Sequence, residues 1–268
     1  MLPAMERAAR SWRPDLILRE PCEYASAVVA LNSGVPQATV AISQGRVEAA
    51  ALRLAAPTLD SRLAGTAAAL RRSPYLSRFP SSLDPDHFPD TRRYRVAASG
   101  GRRLPRWWGE DFRPLVYLTL GTVAPTLAPQ ALPTLMAMAE ALSHLPVRGL
   151  LTAPDGPHRR LVAAPANLHV EPFFPQEAVL AAAAVVVCHG GSGTVLGALS
   201  AGLPLVVLPM LADQLANGTL VARTGAGVVL EPPSTAAEVP SAAASIGSAV
   251  ERTLNDPSFR AAAREIAS

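Results

Sequence analysis

The run Cys188-His189-Gly190-Gly191-Ser192-Gly193-Thr194 closes the apolar stretch Val185–Cys188 and opens a stretch of helical composition, Ser192–Ala201. A β-branched run that ends in glycines at the start of a helix is a strand–turn–helix joint where backbone can approach an anion closely. The first amides of such a helix have no partner within it and point outward, with the positive end of the helix dipole behind them. His189 can add an imidazole hydrogen bond, and Ser192 and Thr194 can add hydroxyls, so Gly190, Gly191, Ser192, Gly193 and Thr194 together form a candidate cradle for a diphosphate. The spacing is neither the dinucleotide fingerprint nor the lysine-terminated phosphate loop. The chain has no lysine at all, so its 24 basic residues are all arginine.

Outward from this joint, the second half alternates short Val/Leu runs with helical patterns. The runs are Leu115–Leu120, Val147–Thr152, Asn167–Val170, Val185–Cys188, Leu205–Leu208 and Gly227–Leu230. Continuous apolar runs of this length suit strands covered on both faces, as in a parallel sheet. Between and after them, Ala131–Leu145, Gln176–Ala183, Ser192–Ala201, Asp213–Thr224 and Ala242–Leu254 read as helices. In the first of these, Leu132, Leu135, Met136, Ala139 and Leu142 recur at helical spacing and predict one apolar face. Strand–helix alternation over this length predicts an α/β, doubly wound domain with right-handed crossovers.

In such a sheet the loops after the strand carboxyl ends converge on one crevice. Three further segments are expected there: Leu120-Gly121-Thr122, Phe174-Pro175-Gln176, and Ala212-Asp213-Gln214 followed by Asn217. Diphosphate donors beside an Asp/Gln pair suit a sugar nucleotide, because carboxylate and amide accept from and donate to sugar hydroxyls. Taken singly, each piece is a helix cap, a turn or a core histidine as readily as a ligand contact.

Composition narrows the alternatives. Hydrophobic residues make up 49% and charged residues 17%, which is a globular balance. A net charge of +3, arginines scattered except around Gly101–Arg106, and 5% aromatics offer no stacking surface for nucleic acid. Two distant cysteines, Cys22 and Cys188, form neither a disulfide framework nor a metal site and fit a reducing cytoplasm. Leu196–Leu211 is the most apolar stretch, but Gly202, Pro204 and Pro209 break it, so no membrane span is expected.

The first half reads as less complete. Asp15–Leu18 and Pro36–Ile42 are expected strands, Glu23–Asn32 a helix, and Arg46–Arg72 one long helix. Ser73–Phe112, rich in Pro, Ser, Arg and aromatics, reads as irregular chain and linker. The domain reading is therefore 1–98 for a partial first domain, 99–112 for a linker and 113–268 for the second domain.

These motifs resemble those of the inverting, two-domain (GT-B) glycosyltransferases of family 1, above all the actinomycete enzymes that attach deoxysugars to polyketide antibiotics. The matching stretches are Tyr117–Thr122, Phe173–Gln176, His189–Thr194, Ala201–Pro204 and Ala212–Gln214 through Asn217. In the first half, Trp12–Glu20, Gly34–Pro36, Phe79–Leu83 and Leu104–Trp108 resemble the later part of the family's acceptor domain. The resemblance implies a GT-B-like fold with a complete or nearly complete Rossmann-like C-terminal donor domain and a partial, N-terminally truncated acceptor domain. It implies that Thr122 lies near the donor phosphates, Phe174 near the base, and His189 with Gly191–Thr194 on the diphosphate, with Gln176 and Gly190 also among the nucleotide-sugar-binding residues. Asp213 and Gln214 are then expected on the transferred sugar, with Asn217 close by. No metal or other cofactor is implied, and the partners are a nucleotide-sugar donor and a small hydrophobic acceptor.

The family's catalytic base is a histidine near the start of its N-terminal domain, and no residue here matches it. Glu20 falls where relatives place the carboxylate that orients that histidine. His87 lies in the loop Asp84–Pro89, which reads as solvent-exposed surface. Two readings of function stand side by side. One is transfer of a deoxysugar from a dTDP donor to a polyketide or similar hydroxyl, with a UDP-dependent lipid-type transferase as its variant. The other is a non-catalytic nucleotide-binding protein that pairs with itself or with a partner transferase through an exposed sheet edge.

Overall fold

The structure is a computed structural model that describes residues 1–96, 104–156, 162 and 164–267. Residues 101–103 of the arginine cluster Gly101–Arg106 and the start of the expected linker lie outside the described residues. The chain forms two compact units, Met1–Ala97 and Ala98–Ser268.

The second unit is built on six parallel strands: β5 (Leu115–Thr119), β6 (Arg148–Thr152), β7 (Leu168–Glu171), β8 (Val185–Cys188), β9 (Leu205–Val207) and β10 (Gly227–Val229). Their order across the sheet is β7-β6-β5-β8-β9-β10, parallel throughout. All six coincide with the runs predicted from sequence, to within a residue or two at each end. For the central strands the reason is burial on both faces: Val116, Leu118, Val185, Val187 and Val206 are all fully inaccessible, so β5, β8 and β9 carry a nearly unbroken apolar signal.

The helix Ala131–Ser143 departs from its predicted single face. Leu135, Met138 and Leu142 are fully buried, and so are Ala131, Thr134 and Ala137, while Leu132 and Met136 are only partly covered. The helix lies between the sheet and the helix Val239–Asn255, and covering on two sides widens its apolar face beyond a stripe.

In the first unit, β1 (Ile17–Arg19), β2 (Gln37–Val40), β3 (Tyr75–Ser77) and β4 (Thr91–Arg93) form a parallel sheet in that order. Two of these strands lie in the segment expected to be irregular. Each is three residues long and flanked by prolines, and β4 is polar Thr-Arg-Arg, so neither carries an apolar pattern. The expected long helix is two: Gly45–Arg62 and Thr66–Arg72, divided where Gly65 takes φ 80°. A helix at Leu2–Trp12 precedes β1. No helix among the described residues is long and apolar enough to cross a membrane.

Candidate functional site

The strand order of the second unit places its topological switch point between β5 and β8. From β5 the chain progresses to β6 and β7 on one side, and from β8 to β9 and β10 on the other. The crossovers leave in opposite directions, so the loops after β5 and β8 part and open a crevice at the sheet's carboxyl rim. Thr119 and Cys188, the last residues of these two strands, are register partners. The Gly121 loop and the His189–Ser192 loop therefore start side by side.

Gly190 takes φ 89°, and a Cβ there would lie 2.8 Å from Val207 Cγ1 and 2.9 Å from the Gln214 carbonyl oxygen. Only glycine fits, and the close approach lets the loop turn directly into the helix Ser192–Ser200, with Gly191 as its N-cap. No side chain caps that helix. The Thr194 and Val195 amides bond back to the Gly191 carbonyl, leaving the Ser192 and Gly193 amides ahead of the ladder.

His189 is buried, and its imidazole is wedged between two glycines. A Cβ on Gly191 would stand 2.5 Å from Nε2, and one on Gly121 would stand 2.9 Å from Cε1 and 3.1 Å from Nε2. The glycines of two loops thus make the slot that the ring fills. Its Nδ1 is inaccessible and meets no partner at hydrogen-bonding geometry. Burial pushes the imidazole pKa below the ordinary histidine value, with the Thr119 backbone and the Asp213 charge opposing. Cys188, directly before it, is fully buried, and burial pushes its thiol up to about 12, so it is inert packing.

A polar network joins this loop to the turn after β9. Ser192 Oγ donates to Asp213 Oδ2 at 2.7 Å. Asn217, fully buried, donates from Nδ2 to Asp213 Oδ2 at 2.9 Å, to the Gly190 carbonyl at 2.9 Å and to Ser192 Oγ at 3.0 Å. Asn217 is therefore a brace between the loop after β8 and the turn after β9. Gln214 is also turned inward: its Oε1 accepts from the Met210 and Leu211 amides at 2.8 and 3.1 Å. That grip holds the turn in which Ala212 adopts φ 53°.

On the other side of the switch point, a cleft of about 190 Å³ runs from β5 to β7, lined by Thr122, Thr152, Phe173, Phe174, Gln176 and Thr194 among others. Its floor holds a chain of buried hydroxyls: Tyr117 to Thr152 at 3.1 Å, Thr152 to Thr119 at 2.8 Å, and the Gly121 amide to Thr119 at 3.1 Å. Sequence reasoning missed this chain because threonines and tyrosine inside a strand read as β-formers. Phe174 is buried, edge-on to Trp107, which stacks on His169 with centroids 4.2 Å apart. Its neighbour Phe173 is 69% exposed on the same cleft. Phe174, which the sequence singled out for the base, lines the same cleft, and Phe173 adds a second, more accessible ring. Gln176 Nε2 is buried beside the cleft without a partner.

In the first unit, Glu20 is exposed, and its Oε2 accepts from the Cys22 amide at 2.9 Å, a local turn bond. His87 is not the bare surface residue expected. It is one-third exposed, with Nε2 3.5 Å from Asp84 Oδ1, and Asp84 is buried with Oδ2 accepting from the Gly45 amide at 2.7 Å. The loop folds inward because that carboxylate caps the helix Gly45–Arg62.

Family models cover nearly the whole described chain. Residues 1–121 match the N-terminal domain model, and residues 138–268 the C-terminal domain model, of the erythromycin biosynthesis protein CIII-like family. The chain belongs to this family. It is similar to the L-demethylnoviosyl transferase of Streptomyces niveus, 33% identical over 272 residues that span 99% of this chain and 69% of that protein. Among solved structures, the spinosyn rhamnosyltransferase SpnG complexed with thymidine diphosphate superimposes with a TM-score of 0.80 at 25% identity, over 99% of this chain and 72% of that one. The glycosyltransferase SsfS6 of Streptomyces sp. SF2575, complexed with thymidine diphosphate, does so with a TM-score of 0.72 at 29% identity, over 98% of this chain and 66% of that one. The family is one of GT-B glycosyltransferases from actinomycete antibiotic pathways, and this chain shares its α/β fold.

Proposed function

We propose that the second unit binds a dTDP-sugar and that the protein is an inverting, metal-independent glycosyltransferase acting on a hydroxyl of a polyketide or other hydrophobic natural product. The observation that carries this reading is the convergence of the Gly121 loop, the His189–Ser192 loop and the Asp213 turn at one switch point, tied through Ser192 and Asn217. In this reading the diphosphate lies over the Ser192 and Gly193 amides with His189 beside it. Thr122 and Thr194 flank it, and the base enters the cleft by Phe173, Phe174 and Gln176. Asp213 faces the sugar. Gln214 acts mainly by holding the turn that presents Asp213, since its oxygen already carries two backbone amides.

In the transfer, the acceptor oxygen attacks the anomeric carbon as its proton leaves to a base. The bond from that carbon to the β-phosphate oxygen breaks, and the nucleoside diphosphate departs with the electron pair. Amides already aimed at the diphosphate stabilise the charge that grows on it, without reorganising at the moment of reaction. The solved relatives complexed with thymidine diphosphate support dTDP as the nucleotide.

Calorimetric titration of the chain with dTDP, and in parallel with UDP, tests the donor site. Saturable binding that favours dTDP supports the reading, and a folded sample that binds neither overturns it. A second reading, a nucleotide-binding protein without turnover, is favoured by Glu20, whose carboxylate serves its own turn. Binding of dTDP without transfer to any hydroxylated acceptor would distinguish it.

A further inference from the structure

The segment Leu104–Arg113 leads into β5 and carries two adjacent tryptophans, Trp107 and Trp108. Two overlapping turns bend it: the Gly109 amide bonds to the Arg106 carbonyl at 3.2 Å, and the Asp111 amide to the Trp108 carbonyl at 3.1 Å. Gly109 takes φ 59°, which glycine adopts without strain, so the chain turns tightly just past the two rings. Both rings come down on β7, the outer strand of the six-stranded sheet. Trp107 stacks on His169 with centroids 4.2 Å and planes 17° apart, and Trp108 meets the same histidine edge-on at 6.2 Å.

This strap is fastened on both sides of its turn. His169 is held from its own strand by Glu171, whose Oε1 lies 2.8 Å from Nε2. Arg148, at the start of β6, lies 5.5 Å from the Trp108 ring and donates from Nε to the Arg113 carbonyl at 2.8 Å. Trp107 also meets Phe174, with centroids 5.3 Å apart and planes at 75°. Phe174 lines the cleft with Phe173 and Gln176, whereas Trp107 is not among the described residues that line it. Trp107 therefore reaches the cleft through Phe174.

We propose that Trp107 is a positioning residue for the nucleobase: clamped on His169, it fixes the ring of Phe174 and so sets the affinity of the cleft for the base of the donor. The proposal rests on the donor-site reading above, and it gives the expected linker a part in nucleotide recognition. Two aromatic rings at a steep angle attract because the positive edge of one meets the negative face of the other, an effect of about two- to tenfold in an equilibrium. A ring held in place before the ligand arrives loses no rotamer freedom on binding, so a planar base gains the full contact.

The test is calorimetric titration of the whole chain with dTDP and with 2-deoxyribose 5-diphosphate, which is dTDP without its base. Trp107→Leu is expected to weaken dTDP by about five- to tenfold while leaving the base-less probe within about twofold. Trp107→Phe, which keeps a ring against Phe174, should bring dTDP back to within about twofold of the unsubstituted protein. His169→Leu removes the clamp rather than the ring and should weaken dTDP in the same selective way. It decides the matter if Trp107→Leu does not fold. The proposal is overturned if the folded variants lose both probes equally, if they bind dTDP as the unsubstituted protein does, or if phenylalanine restores nothing. If the unsubstituted protein does not bind dTDP, the donor-site reading falls first and this proposal falls with it.

Discussion

Ser192 Oγ donates a 2.7 Å hydrogen bond to Asp213 Oδ2, tying the open end of the helix after β8 to the turn after β9. The two residues are 21 positions apart, and Asn217 closes the triangle from inside the next helix. The bond fixes where the carboxylate stands relative to the first helix amides, so on the proposed reading phosphate and sugar contacts would share one frame.

Removing the two donors to Asp213 should have different consequences. Asn217→Ala leaves the Gly190 carbonyl and the Asp213 carboxylate short of a buried donor, and is expected to lower unfolding stability by about 1–3 kcal/mol in urea titrations. Ser192→Ala removes a partly accessible hydroxyl. It should change stability by less than about 1 kcal/mol while weakening dTDP binding several-fold. Equal effects of the two on stability would contradict the division of roles.

On the proposed reading, His189 should give nucleotide binding a pH dependence of definite sign. Burial holds its pKa below the ordinary value, so the free protein carries a neutral ring at neutral pH. A diphosphate beside the ring stabilises the imidazolium and raises that pKa, so binding takes up a proton and tightens as pH falls. The ligand to use is dTDP-glucose, because each of its phosphates carries a fixed single charge over the relevant range. Affinity measured between about pH 5.5 and 8 should rise toward acid, and His189→Asn should flatten the profile. A flat profile in the unsubstituted protein would place His189 outside phosphate recognition.

Phe173 and Phe174 separate binding from folding. Phe173 is 69% exposed and Phe174 is buried at 7%. Phe174→Ala is expected to cost about 3–5 kcal/mol of stability through the cavity it opens against Trp107. Phe173→Ala should leave the melting temperature in place and weaken dTDP binding by about tenfold, as loss of a stacking ring does. The reverse pattern would return the base to Phe174.

Gly190 is a position where stereochemistry and space coincide. Alanine there meets both a positive φ and backbone at 2.9 Å, so Gly190→Ala should destabilise the second unit by about 2 kcal/mol or more. Gly193, whose Cβ would meet nothing within 4 Å, is the control, and Gly193→Ala should leave folding intact.

Glu48 makes the first unit sensitive to pH. Its carboxyl is buried under Tyr75, whose hydroxyl donates to it at 2.5 Å, and accepts from the Ile42 and Ser43 amides. Burial raises its pKa from 4.5 to about 7, against those hydrogen bonds. A carboxyl whose folded pKa is raised contributes its full stability below the unfolded value and loses it as pH climbs through the folded one. The unsubstituted protein should thus lose up to about 3 kcal/mol relative to Glu48→Gln between pH 4.5 and 8. Parallel unfolding curves for the two across that window would show that Glu48 titrates normally.

The sequence by itself determined the second unit's architecture. Its central strands β5, β8 and β9 are buried throughout, so burial wrote apolar runs there that read as strands without knowledge of their neighbours. The glycine joint at 188–194 was legible for a related reason, since a backbone that must turn sharply and approach another chain leaves glycines at fixed places. Strands β3 and β4 were not legible, because three residues among prolines carry no period, and their pairing comes from the sheet they join. Tertiary structure also decided which way side chains face. It turned Gln214 and Asn217 inward as braces, left Phe173 exposed and Phe174 buried along one cleft, and drew His87 onto Asp84. Composition and spacing name the groups present in a loop, but the direction of each follows from backbone angles and buried partners that only the folded chain brings together.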